Sequence, residues 1–245
     1  MTTINRDELV GRLAQAGGDA SQIRTILAEA LDKRVTHVNF LLDESGSMAG
    51  GMAEALQAGF NDYLSGLRAD SAEYTMTAAK FNDASGLRYT KLATRQPLEA
   101  VPELTSENYR PYGGTPLYDA LAKMLDETDV PDGTPVLTVI YTDGQENCST
   151  LYSAESINAL IKQAEARGWT FIYMGASREA WQNERMFHGT ISAANSYRSS
   201  GARGTRSASA GALGSTIAYA AMADHSTART VVTDESKAAV AENSD

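Results

Sequence analysis

The sequence lacks the residues that build disulfide frameworks and membrane spans. It contains one cysteine, Cys148, among 245 residues, so no disulfide can form within the chain. Its first residues, "MTTINRDELVGRL", carry no apolar stretch typical of a secretory signal. No segment approaches the roughly 20 apolar residues that a membrane-spanning helix requires. We therefore expect a cytoplasmic protein.

Histidine and positive charge are also scarce. The three histidines lie far apart in the sequence, and none has a His or Cys neighbour at metal-ligand spacing, so we do not expect a zinc site. The formal net charge of −10 argues against a broad surface for nucleic acid or anionic lipid. We expect neither nucleic acid nor a membrane as a partner, and we interpret the arginines of segment 198–206 as solvated residues of a flexible loop.

Apolar runs alternate with segments of helical periodicity along most of the chain. The runs typical of buried strands are 35–43, 134–144 and 169–176, and helical spacing occurs at 52–67, 116–127, 153–168 and 177–187. The segments "AEYTMTAAKF" and "GLRYTKLA", separated by the turn residues "NDASG", predict an antiparallel hairpin at the sheet edge. This alternation predicts an α/β fold with a mostly parallel sheet.

Segments outside this alternation divide the chain into parts. Helical spacing at 6–16 and 21–33 precedes the first strand. A weak apolar stripe predicts a last helix at 207–223, and the small polar residues beyond it predict disorder. We therefore predict a helical extension at 1–34, one domain at 35–223 and a disordered tail at 224–245.

Three oxygen-rich turns occur where a strand is expected to end or a helix to begin. They are "DESGS" at 43–47, "GGTPLYD" at 113–119 and "TDGQEN" at 142–147. Ligands of open α/β sheets bind at the carboxyl ends of the strands, so we expect the oxygens of these turns to converge. The candidate metal ligands are Asp43, Ser45, Ser47, Thr115 and Asp143. Carboxylates and hydroxyls without His or Cys suit a hard cation, with Mg²⁺ as the first expectation and Mn²⁺ as the second.

Each turn also has a purely structural interpretation. Ser45, Ser47 and Thr115 can cap the helices that follow them, and Asp143 can belong to an ordinary turn. The presence of all three turns, in this order and at compatible strand ends, favours the metal site.

Three neighbouring residues receive minor roles. We interpret Glu44 and Glu146 as carboxylates at the rim of the site. Cys148 has no Lys, Arg or His beside it in "GQENCSTL" to lower the pKa of its thiol, so we interpret it as a plain small side chain.

The three turns resemble the metal-ion-dependent adhesion site of von Willebrand factor A domains. The family pattern is Asp-x-Ser-x-Ser after the first strand, a Thr in a later loop and an Asp after the fourth strand, and all five positions are matched. The resemblance covers about residues 35–223. It implies a Rossmann-like sheet with one antiparallel edge strand, helices on both faces, and a Mg²⁺ whose last ligand is an Asp or Glu of a partner. The extension before residue 35 and the Gly- and Ser-rich stretch 199–215 depart from the family pattern.

Three functional hypotheses of different class remain. The first is a metal-dependent, non-enzymatic protein-binding module. Similar bacterial, archaeal and phage proteins act beside a MoxR-like AAA+ ATPase or in the assembly of a complex, so the resemblance implies such a partner. The second is a structural, virion or attachment protein. The third is a Mg²⁺-dependent hydrolase or phosphoryl-transfer enzyme, against which stands the lack of a phosphate-binding loop motif and of any Lys or Arg in the three turns.

Overall fold

The structure is a computed structural model that describes residues 6–19, 22–23, 35–143, 145–175, 196–198, 201–222 and 225. Its strands are β1 (Thr36–Asp43), β2 (Tyr74–Asp83), β3 (Leu87–Pro97), β4 (Val136–Thr142), β5 (Thr170–Gly175) and β6 (Ser196–Arg198). Its α-helices are α1 (Arg6–Gln15), α2 (Gly51–Ala69), α3 (Leu117–Asp126), α4 (Ala154–Ala166) and α5 (Gly201–Ala220). None of the helices in these ranges is long and apolar enough to cross a membrane.

The described strands form one sheet in the order β3-β2-β1-β4-β5-β6. Strand β1 pairs in parallel with β2 and β4, and β4, β5 and β6 continue the parallel pairing. Strand β3 pairs antiparallel with β2 and lies at the edge, as the hairpin signal predicts. The prediction of a mostly parallel sheet with one antiparallel edge strand is therefore confirmed.

Two apolar clusters cover the two faces of the sheet. Alternate residues of β1 supply both of them, because successive side chains of a strand point to opposite faces. Phe40 packs edge-to-face against Phe60 of α2, with ring centroids 5.1 Å apart. On the other face, Leu41 belongs to a cluster with Leu121 of α3 and Ile157 of α4. All eight residues of β1 are buried, and two of its polar side chains, those of His37 and Asn39, lie within hydrogen-bond distance of each other.

Helix α5 differs from the weak last helix predicted at 207–223. It begins at Gly201 and takes in most of the Gly- and Ser-rich stretch. Its small residues allow a close approach to α2, since a Cβ added at Gly59 would lie 2.5 Å from the Ser209 hydroxyl oxygen and 3.1 Å from its Cβ. A composition that suggests a loop is here the packing surface of a helix. The prediction of a flexible loop is accordingly wrong for Arg203 and Arg206, which are exposed on α5.

Buried tyrosine hydroxyls join α5 to α2 and to the sheet. The Tyr63 hydroxyl lies 2.8 Å from Thr216 Oγ1, and the Tyr141 hydroxyl donates to Thr205 Oγ1 at 2.7 Å. A buried phenol needs such a polar partner, because leaving it unpaired costs free energy. These bonds therefore orient the helix as well as hold it on the sheet.

The two described histidines have structural positions. His37 is buried, and its ring nitrogens lie 2.9 Å from Thr75 Oγ1 and 3.0 Å from Asn39 Oδ1. Burial lowers the pKa of His37 to about 4. His225 packs its ring against Tyr219, with centroids 4.5 Å apart. The third histidine, His188, lies outside the described residues, as do the helix predicted at 177–187, most of the one at 21–33 and the tail beyond residue 225.

Two matched glycine substitutions test the close packing of α2 and α5. We expect Gly59→Ala to lower the free energy of unfolding by about 1–3 kcal/mol, because the added methyl group overlaps Ser209. Gly214→Ala, on α5, meets no atom within 4 Å and should raise it by about 0.5–1 kcal/mol. Urea unfolding of both variants measures the two changes. Equal shifts of the same sign would contradict close packing at Gly59.

Candidate metal site

The carboxyl ends of β1 and β4 lie side by side at one end of the sheet. The parallel register pairs Leu42 with Tyr141, so Asp43 ends β1 beside Thr142, the last residue of β4, and Asp143 follows one position later. Asp43 is completely buried, and Asp143 is only 7% exposed. Two carboxylates that are far apart in the sequence are therefore brought together by strand pairing.

Four of the five predicted ligands form a continuous series of short contacts. Asp43 Oδ1 accepts a hydrogen bond from the backbone N–H of Ser45 at 2.7 Å. The hydroxyl oxygens of Ser45 and Ser47 lie 3.1 Å apart, and the Ser47 hydroxyl donates to Asp143 Oδ1 at 2.7 Å. Two of these contacts join oxygen atoms, and neighbouring oxygen ligands of a small hard cation are likewise about 3 Å apart.

The fifth predicted ligand, Thr115, lies on a loop held against the first turn. The backbone N–H of Gly46 donates to the Gly113 carbonyl at 2.9 Å, and that of Thr115 donates to Asn147 Oδ1 at 2.9 Å. Gly113 has φ +77°, and a Cβ there would lie 1.9 Å from the Asp83 carbonyl oxygen, so only glycine fits. The structure therefore brings all three predicted turns to the same end of the sheet.

Helix capping does not explain the three hydroxyls. Ser45 precedes the short 3-10 helix Gly46–Met48, but its side chain makes no capping hydrogen bond. Helix α2 follows Gly50, and α3 follows Pro116, again without a side-chain cap. The structure therefore does not use Ser45, Ser47 or Thr115 as helix caps, which was the structural alternative to metal binding.

The buried carboxylate of Asp43 gives the site its electrostatic character. Burial raises the pKa of Asp43 to about 6, the hydrogen bonds from Thr142 and Ser45 oppose this rise, and the nearby charge of Asp143 adds to it. Two carboxylates in a partly desolvated site repel each other, and a cation between them relieves that repulsion. The oxygen-only donor set and its spacing therefore fit a hard divalent cation.

Two residues that the sequence analysis missed hold Asp43 in place. The Thr142 hydroxyl donates to Asp43 Oδ2 at 2.5 Å, and the Tyr109 hydroxyl donates to the Asp43 carbonyl oxygen. Thr142 and Asp43 are 99 positions apart in the sequence. Only the position of Thr142 directly before the predicted ligand Asp143 could have suggested its role.

Glu44 is not a rim carboxylate, contrary to the prediction, whereas Glu146 is half-buried and bonded to the neighbouring loop. Glu44 is only 3% exposed, forms an ion pair with Lys80 at 2.6 Å and accepts from the backbone N–H of Arg110 at 2.7 Å. Glu146 accepts from three backbone N–H groups, those of Tyr118, Cys148 and Ser149. The Glu44 side chain turns inward because Lys80 and the backbone N–H of Arg110 offer it partners that local sequence does not reveal.

Cys148 has the unreactive character that the sequence predicts. Burial, followed by the nearby carboxylates of Asp83 and Glu146, raises the pKa of its thiol to about 12, so the thiol stays protonated near neutral pH. Within the described ranges, no group of three His, Cys, Asp or Glu side chains could hold a metal ion. The candidate site differs from such a group because hydroxyls supply most of its oxygens.

Comparisons with protein-family models and with curated proteins give no match, whereas solved structures give clear ones. The pilus adhesin SpaC from Lactobacillus rhamnosus GG has a TM-score of 0.55 at 13% identity, over 76% of this chain and 31% of its own. The von Willebrand factor domain of the type V pilus tip protein Mfa5 from Porphyromonas gingivalis has a TM-score of 0.54 at 9% identity, over 74% and 94%. Proximal thread matrix protein 1 from the mussel byssus, with zinc in its metal-ion-dependent adhesion site, has a TM-score of 0.50 at 15% identity, over 74% and 48%.

These similarities concern the fold. The chain has the Rossmann-like fold of von Willebrand factor A domains, as the resemblance of the three turns implies. It matches 31% of the pilus adhesin and about half of the byssus protein, so the match is to one part of each of these longer chains.

The substitution Asp43→Asn tests the electrostatic account of the site. The pKa of Asp43 in the folded protein, about 6, lies above its ordinary value of 3.8, so the folded parent loses stability as the pH rises through 6. Asparagine carries no charge to bury. With EDTA present, we therefore expect Asp43→Asn to be more stable than the parent by about 2–3 kcal/mol above pH 7, and equally stable near pH 4.

Added Mg²⁺ should make the parent more stable than Asp43→Asn, which reverses the order expected with EDTA. The parent gains stability because the ion binds the folded state, whereas Asp43→Asn gains little. Urea unfolding between pH 4 and pH 8, with Mg²⁺ or EDTA, measures both effects, and Asp62→Asn on the exposed side of α2 is the control. A parent that gains nothing from Mg²⁺ or Mn²⁺ would contradict the metal site.

Proposed function

We propose that the chain is a metal-dependent protein-binding module. Five side chains would hold Mg²⁺, or Mn²⁺ in its place, and these are Asp43, Ser45, Ser47, Thr115 and Asp143. The proposal is carried by the series of contacts from the buried Asp43, through the Ser45 backbone N–H and the hydroxyls of Ser45 and Ser47, to Asp143. When bound, such an ion supplies a positive charge and a coordination position open to an outside carboxylate.

The choice of ligands leaves the site attractive to a further anion. Ser45, Ser47 and Thr115 contribute neutral hydroxyls, so only two carboxylates oppose the charge of the ion. Asp43 orients the Ser45 backbone and is itself held by Thr142, so the first turn does not need to rearrange to present its hydroxyls. Ser47 is exposed and marks the side from which a partner can reach the site.

The surface at this end of the sheet also suits a protein partner. Among the described residues, the large hydrophobic side chains that are exposed are those of Tyr112, at 39%, and Leu151, at 78%. Tyr112 lies three residues before Thr115, and Leu151 lies in the loop between β4 and α4. Apolar contacts beside a polar anchor are typical of protein interfaces. We propose that these two side chains contact the partner that supplies the carboxylate.

The three turns contain no Lys or Arg that could hold a phosphate, which favours binding over phosphoryl transfer. Lys80 donates to Glu44 and to the Asn108 carbonyl, so its ammonium group is already committed to the protein. We further propose an intracellular role with a partner of the kind implied by the family resemblance, a MoxR-like AAA+ ATPase or another component of an assembly. A structural or attachment role and a Mg²⁺-dependent enzyme are the alternatives that the following experiment separates from this proposal.

A pull-down from lysate of the source organism tests the proposed function. The purified chain is used as bait with Mg²⁺ and again with EDTA, and recovered proteins are identified by mass spectrometry. We expect a partner that is recovered with Mg²⁺, is lost with EDTA and is not recovered by Asp43→Ala. The control variant Asp62→Ala, on α2, should recover the partner as the parent does.

Two results would contradict the proposal. Equal recovery of the same partner by the parent and by Asp43→Ala would show that the metal site takes no part in binding. Turnover of a phosphate ester that requires Mg²⁺ and Asp43 would favour the enzyme.

A further inference from the structure

A second polar pocket lies directly beside the candidate metal site. It has a volume of about 380 Å³ and is lined by Glu44, Lys80, Arg88, Glu107, Arg110 and Tyr112. We refer to it as the basic pocket. It shares no residue with the five candidate metal ligands.

The exposed charge of the basic pocket is positive. Lys80 and Glu44 neutralise each other in a buried ion pair. The guanidinium of Arg88 donates to the Tyr112 hydroxyl, and its carbon lies 5.7 Å from the centre of that ring. Arg110 is exposed, and its backbone N–H donates to Glu44. The pocket thus has two exposed arginines and one exposed carboxylate, that of Glu107. Its exposed charge is positive, although the net charge of the chain is −10.

The backbone connects the basic pocket closely to the metal site. Glu44 stands between Asp43 and Ser45, and its carbonyl accepts from the backbone N–H of Tyr112 at 2.9 Å. Tyr112 precedes Thr115 by three residues, so their Cα atoms are at most about 10 Å apart, even in an extended chain. One short loop therefore forms a wall of both sites.

We infer that the basic pocket binds a second carboxylate of the partner, two or three residues from the Asp or Glu that ligates the metal. In an extended peptide, residues i and i+2 lie about 7 Å apart and project from the same side, and residues i and i+3 lie about 10 Å apart. Arginine matches a carboxylate in shape and charge, and Arg88 is already oriented by Tyr112. The occupant is thus an acidic peptide segment of a protein. This inference rests on the proposed function.

Selection from a library of random peptides displayed on phage tests the inference directly, because it requires no identified partner. Phage are bound to the full chain in Mg²⁺ and eluted with EDTA. We expect the eluted peptides to be enriched in pairs of acidic residues separated by one or two positions. Arg88→Glu and Arg110→Glu should still yield EDTA-eluted peptides but without the second acid. Lys162→Glu, an exposed charge reversal on α4, should select the same peptides as the parent.

Binding of one selected peptide gives the quantitative test. Its affinity in Mg²⁺ is measured by fluorescence anisotropy and compared with that of an analogue in which the second acid is replaced by its amide. Arg110→Glu should weaken the two-acid peptide by about tenfold and change the analogue by less than about twofold. Glu107→Gln should instead tighten the two-acid peptide, a gain that damage to the fold cannot produce.

The possible failures are distinguishable. If the selected peptides carry a single acid, or if Arg110→Glu weakens both peptides equally, the second subsite is wrong while metal-dependent binding stands. If no peptide is released by EDTA, the proposed function fails and this inference fails with it. If an oligonucleotide with the same net charge as the two-acid peptide competes with it, the basic pocket is a general polyanion site, and the inference is overturned.

Discussion

The parallel pairing of β1 with β4 is the constraint on which the rest of the site depends. Both strands are buried on their two faces, so a slip of one residue would exchange the apolar side chains of the two clusters and is strongly disfavoured. With this register, β1 and β4 end at the same level, at Asp43 and Thr142, and Asp143 follows directly after β4. The serines of the first turn and the loop of Thr115 then assemble around a point that the core packing has already determined.

The site carries an unfavourable feature that the rest of the fold tolerates. A buried carboxylate beside a second one lowers stability near neutral pH, and the bonds from Thr142 and Ser45 offset this cost only in part, because the pKa of Asp43 stays raised. Such an arrangement is typical of a site kept for binding and not for stability. Close packing of α2 against α5, and the hydroxyls of Tyr63 and Tyr141 that bond to α5, supply rigidity on one face of the sheet.

Most of the fold was predictable because the signals for it are local. A run such as 35–43, rich in β-branched and apolar residues, is typical of a strand covered on both faces, and the turn before Gly86 and Leu87 indicates the hairpin. Helix α5 was predicted too short because its small residues carry almost no periodic signal, and they become informative only when Gly59 of α2 lies opposite them. Glu44 was misinterpreted for a similar reason, since its partner Lys80 belongs to another strand.

The sequence by itself determined the alternation of strands and helices and placed oxygen-bearing side chains at the strand ends, because periodicity and residue chemistry are properties of neighbouring residues. Only the tertiary structure decided which oxygens touch, that Thr142 and Tyr109 hold Asp43, and that Glu44 turns inward. It also created the basic pocket from side chains of β2, β3 and the loop that leads to Thr115. Each of these contacts joins segments far apart in the chain, and the pairing of the strands is what brings them within reach.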